Sequence, residues 1–146
     1  MNTRTATYRI ATAITAFVMA TGGLAYVLGA QWAVAGVLDL GYPRYVVTLL
    51  GVWKLLGVLA ILWPGFPRLK EWAYAGIAFD LSGAAVSHLA VGDPFWHLPL
   101  TLGLLAVAFV SWALRPAGRV LPPLAPAGPA VASGGAAPEQ QAVAPV

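Results

Sequence analysis

Four stretches of about twenty mostly apolar residues divide the chain up to Arg115, each bounded by charges or turn formers. They cover 10–28, 45–63, 72–91 and 95–114. Each is close to the ~20 residues that a tilted helix needs to cross a hydrocarbon core about 30 Å thick. Membrane strands would show alternating segments of roughly ten residues, and none are visible. The pattern predicts an all-α polytopic membrane protein, an antiparallel four-helix transmembrane bundle. Arg4 and Arg9 precede the first run as they would in a signal peptide. A signal peptide has a shorter apolar region and is followed by a soluble chain. Three more spans follow here, so the first is read as a retained helix.

The connections carry their own signals. Residues 29–40 stay mostly apolar through Trp32, Val34, Val37 and Leu38, which suggests a helix lying at the membrane surface before the turn Gly41-Tyr42-Pro43. Pro64-Gly65-Phe66-Pro67 is a short, stiff turn that places the second and third helices in direct contact. Asp93-Pro94 reads as the N-cap and first position of the fourth helix, with Pro99 in its early turns as a source of a kink. After Arg115 the chain changes character. Residues 116–146 are rich in Ala, Pro and Gly with a single acid, Glu139, and are expected to form a disordered cytoplasmic tail.

Composition agrees with the hydropathy. The 146 residues are 60% hydrophobic and 9% charged, with a mean hydropathy of +0.78, a balance expected of an integral membrane protein. The formal net charge of +3 does not point to nucleic acid, because the basic residues sit at the ends of the apolar runs. With the N-terminus inside, Arg4, Arg9, Arg68, Lys70, Arg115 and Arg119 are cytoplasmic and only Arg44 is outside. That asymmetry predicts both termini in the cytoplasm. Cysteine is absent, which removes thiol chemistry and thiolate metal sites.

Two charges interrupt the spans. Lys54 lies ten residues before Pro64, and Asp80 lies ten residues after Lys70. In antiparallel helices joined at that turn, both are about 15 Å from the same end, near the midplane. A charge there costs about 2.5–3.5 kcal/mol on insertion scales, so two opposite charges at one depth suggest partners. Small and polar residues at helical spacing form stripes: Thr12, Thr15, Met19, Gly22 and Tyr26 in the first span, Gly51, Lys54 and Val58 in the second, and Gly76, Asp80, Gly83, Ala84, Ser87 and His88 in the third. Such stripes are expected to face other helices. Two readings of the pair stay open, a structural ion pair and a working group in a polar cavity. Ser87 and His88 extend a polar track from it toward an external mouth at Asp39, Asp93 and His97. The spacing of His88, Asp93 and His97 matches no standard metal motif, and no metal is expected.

No Walker loop, dinucleotide fingerprint, nucleophile elbow or zinc protease motif is present. The run from Gly41-Tyr42-Pro43 through Leu50-Gly51-Val52-Trp53-Lys54-Leu55-Leu56-Gly57, then Pro64-Gly65-Phe66-Pro67-Arg68-Leu69-Lys70-Glu71-Trp72, followed by Phe79-Asp80-Leu81-Ser82-Gly83-Ala84, Ser87-His88 and Gly92-Asp93, resembles the DoxX-like family of small bacterial membrane proteins. The resemblance implies a four-helix bundle in the bacterial plasma membrane. Relatives in the broader group include a subunit linked to thiosulfate:quinone oxidoreductase, but the resemblance assigns no catalytic residue. One expectation is an accessory or scaffold subunit with no intrinsic cofactor, binding a quinone or other lipid-soluble molecule beside a membrane redox partner. The alternatives are a small homo-oligomeric transporter coupling protons through Lys54 and Asp80, and a structural or chaperone-like membrane protein.

Overall fold

A computed structural model describes residues 2–92 and 97–121. Among them there are five α-helices and no strand: α1 (Thr3–Val27), α2 (Gln31–Asp39), α3 (Arg44–Leu62), α4 (Pro67–Ala90) and α5 (His97–Ala113), followed by one 3₁₀ turn, Ala117–Arg119. The all-helical expectation holds, and 29–40 supplies the fifth helix. The expected cap at Asp93-Pro94 and the tail beyond Leu121 lie outside the described residues.

Helix ends follow local chemistry more closely than hydropathy. Asn2 caps α1, its Oδ1 accepting from the Arg4 amide at 3.4 Å, so α1 starts seven residues before its apolar run. Pro67 occupies the first turn of α4, where its missing N–H costs nothing. Arg68, Lys70 and Glu71 are therefore helical although they precede the apolar run. The turn before them needs two left-handed residues, Gly65 at φ 75° and Phe66 at φ 50°. Glycine adopts this freely, whereas for phenylalanine it costs about 1–2 kcal/mol.

Side-chain pairings fix the helix neighbours. α1 packs against α3 and α5, and α4 packs against the same two. Each adjacent pair runs antiparallel. Tyr8 and Ile61 share Arg119 at one end, while Gly23 meets Gly51 further along. Ala16 and Met19 of α1, Val58 and Ile61 of α3, Tyr74, Ile77 and Leu81 of α4 and Ala108 of α5 form the shared core. A second cluster, Val34, Val37 and Val47, seats α2 on α3 beside Tyr26.

The outer surface is apolar as well. Trp72 is 80% exposed and Phe79 77%, and Phe17, Leu28, Trp53 and Tyr45 are also exposed. Apolar area on this scale marks a surface made for something other than water. α1 and α3 are long and apolar enough to cross a membrane, and the described part of α5 is apolar but shorter. α4 has the length, but Asp80, Ser87, His88 and its basic first turns lower its hydropathy.

Two of the expected stripes are displaced. Gly23, not Gly22, meets α3, and nothing lies within 4 Å of a Cβ added at Gly22, Gly76 or Gly83. The buried face of α4 is Lys70, Tyr74, Ile77, Leu81 and Ala85. Asp80 therefore sits at the edge of the core with the glycines beside it.

Candidate functional site

Helices α1 and α3 touch backbone to backbone where Gly23 faces Gly51. A Cβ on Gly51 would lie 2.8 Å from Tyr26 Cβ and 2.9 Å from both Gly23 O and Val27 Cγ2. No other residue fits that approach. In these antiparallel helices Tyr26, three residues after Gly23, and Lys54, three after Gly51, lie on opposite sides of the contact, and the close approach of the backbones lets their long side chains reach each other. The Lys54 ammonium lies 5.7 Å from the Tyr26 ring centroid, within cation–π range.

Across the α3–α4 seam, Lys54 Nζ donates to Asp80 Oδ2. Lys54 stands eight residues before the end of α3 and Asp80 thirteen after the start of α4, and the long lysine side chain spans that offset. Lys54 thus has a carboxylate on one side and an aromatic face on the other. Trp53, its neighbour in sequence, points elsewhere, as expected for residues about 100° apart on a helix.

The pair borders a cavity of about 380 Å³ between α3 and α4. Gly57 and Gly76 leave space along its walls, Met19 and Ile77 belong to the core behind it, and Trp53 and Phe79 are exposed on its two sides. The volume lies toward the lower end of small-molecule sites, roughly 300–1,000 Å³. The lining is mostly apolar with one charged pair.

The other sequence candidates gather elsewhere. Neither Ser87 nor His88 lines this cavity. Ser87 is seven residues beyond Asp80, about 10 Å along the axis. There its hydroxyl meets Tyr42 Oη at 2.7 Å and donates to Gly83 O at 2.8 Å. His88 stacks on His97, with ring centroids 4.7 Å apart. The expected track from the pair to the mouth is thus divided into two separate sites. Asp39 is the exposed last residue of α2, and Asp93 lies outside the described residues. Among the described residues, no group of three or more His, Asp or Glu could hold a metal ion.

The model of the DoxX-like family matches residues 10–111. The chain belongs to the DoxX-like family. With its apolar helices, this makes it a small membrane protein. No curated protein and no solved structure matches it.

This DoxX-like chain carries a second polar assembly, at the end where α3 and α5 finish, whose charged residues mark only topology in the sequence pattern. Lys70 is 1% exposed and donates from Nζ to the carbonyls of Ala60 at 2.9 Å, Ile61 at 3.2 Å and Trp63. It therefore plugs the carbonyl end of α3, where the helix dipole favours a cation. Arg119 adds Nη1 bonds to Ile61 O and Tyr8 Oη, both 3.1 Å. Burial, then the nearby charges of Arg119 and Arg115, hold the Lys70 pKa below the usual lysine value.

Glu71 accepts from Arg115 Nη2 at 2.6 Å and from Trp112 Nε1 at 2.8 Å. Burial raises the Glu71 pKa, but these two hydrogen bonds and the Arg115 charge outweigh it and leave the carboxyl below its ordinary range. Further inside, Ser111 Oγ lies 2.7 Å from both Thr12 Oγ1 and Tyr74 Oη, and Thr12 donates to Tyr8 O at 2.7 Å. Each hydroxyl has one proton, so the chain runs Tyr74 to Ser111 to Thr12 to the Tyr8 carbonyl. The only sequence signal for this assembly was polar residues recurring near helix ends.

Proposed function

We propose that this DoxX-like protein holds a lipid-soluble, quinone-like molecule in the α3–α4 cavity as an accessory subunit of a membrane redox partner. In this reading α1, α3, α4 and α5 cross the bacterial plasma membrane as an antiparallel bundle. Both termini are cytoplasmic, and α2 lies on the outer surface. The gathering of Arg4, Arg9, Arg68, Lys70, Arg115 and Arg119 at one end supports that orientation.

The observation that carries the reading is the cavity itself: apolar walls flanked by exposed Trp53 and Phe79, with Lys54 and Asp80 at its edge. A carbonyl of a flat ring would accept from the Lys54 ammonium while the ring lies over the glycine gaps. In this reading the electrons belong to the ligand and the partner. Proton-coupled transport fits less well, because Ser87 and His88 do not extend the cavity toward the outer end.

Purification from native membranes, followed by solvent extraction and mass spectrometry, tests the proposal. The expected result is an isoprenoid quinone or similar ring lipid retained by the native chain and lost from the double variant Lys54→Leu, Asp80→Leu, with helicity unchanged. A native chain carrying neither such a molecule nor a redox protein would overturn the reading. Proton flux in proteoliposomes abolished by Asp80→Asn would replace it with the transport reading.

A further inference from the structure

At the basic end, the first turn of α1 lies beside the segment that leaves α5. Between them is a cavity of about 730 Å³, walled on one side by Asn2, Arg4 and Thr5 and on the other partly by Leu114, Val120 and Leu121. Arg115 lines it too, although only 4% exposed. Two of its nitrogens are engaged: Nε donates to Trp112 O at 2.8 Å and Nη2 to Glu71. Nη1 is buried and has no hydrogen-bond partner among the described residues. A buried guanidinium nitrogen without an acceptor is rare and calls for one.

Other features of the cavity favour a negative charge. Arg4 has no ion pair among the described residues. α1 is 25 residues long and directs the positive end of its dipole here. We propose that this cavity binds one phosphate group, with Arg115 beneath it and Arg4 at its rim. The group is either the phosphodiester of an anionic membrane lipid or free phosphate. Leu114, Val120 and Leu121 give the cavity an apolar side that suits a lipid and that free phosphate does not need. The indole of Trp112, one turn before Arg115 and bonded to Glu71 of α4, marks the level at which interfacial tryptophans meet headgroups.

The test uses the full chain, delipidated in neutral detergent. Native mass spectrometry follows titration with phosphatidylglycerol or with phosphatidylcholine of the same acyl chains, and thermal unfolding follows addition of inorganic phosphate. One phosphatidylglycerol per chain is expected, weakened about five-fold by Arg4→Gln, the size expected of one basic residue at an anionic headgroup. Arg68→Gln, an exposed change at the same end but outside the cavity, should leave binding intact. A stabilisation by inorganic phosphate that Arg4→Gln removes would assign the site to the free anion. Equal retention of the two lipids with no phosphate effect, or equal weakening by Arg4→Gln and Arg68→Gln, would overturn the proposal and leave only a diffuse basic surface.

Discussion

Lys54 and Lys70 are both lysines within helices, yet their partners differ in kind. Lys54 meets one carboxylate and one ring, whereas Lys70 meets three carbonyls. Asp80→Asn leaves Lys54 without its counter-charge and should lower stability in detergent by about 3–5 kcal/mol, measured by thermal or denaturant unfolding. Replacing both partners with leucine should recover most of that loss, since an apolar pair needs no compensation. Lys70→Met should cost about 1.5–3 kcal/mol, the worth of hydrogen bonds from a charged donor. Glu71 supplies the pH dependence. Its folded pKa is depressed, so between the folded value and the ordinary glutamate value of about 4.3 the unfolded chain binds more protons. Stability therefore rises with pH across that window and is lost as pH falls through the folded pKa. Acid titration of the unfolding midpoint should show this decline, and Glu71→Gln should flatten it.

Among the elements, α1 and α3 form the tightest contact and α3 and α4 leave the open seam. Gly51→Ala should push α1 from α3, with a cost of about 1–3 kcal/mol from overpacking. Gly22→Ala, with nothing within 4 Å, should leave the unfolding midpoint unchanged or slightly raised. The comparison also separates what sequence discloses from what it hides. Pro64 and Pro67 mark the turn, and opposite charges in mid-helix on either side of it are enough to pair Lys54 with Asp80, although the two stand eight and thirteen residues from the helix ends that flank it. Hydropathy marked where residues become apolar, which is not where helices end. Asn2 and Pro67 extended α1 and α4 into polar territory, and no apolar pattern records that. The partnership of Tyr26 with Lys54 was hidden because it depends on how α1 is rotated against α3. A glycine at helical spacing serves equally at a contact, as Gly51 does, or beside a gap, as Gly76 does.

At the scale of the molecule, the start of α1, the 63–66 turn and the end of α5 share one end, and α2 lies at the other. In the proposed orientation, Gly36→Cys should react with a membrane-impermeant maleimide on intact cells, while Thr3→Cys and Gly118→Cys react only after permeabilisation. The chain contains no cysteine, so each label reports one position. Equal reactivity of all three in intact cells would refute the topology. Trp53 and Phe79 stand on the outside of the α3–α4 seam, so in a bilayer the cavity beside Lys54 opens sideways into lipid. A molecule entering it arrives by lateral diffusion, and its effective concentration is its mole fraction in the membrane. Doubling the lipid in a reconstituted sample at fixed total ligand should dilute the ligand and lower occupancy, even though its aqueous concentration hardly changes. Competition for the cavity is then decided first by partitioning into the bilayer and only afterwards by fit.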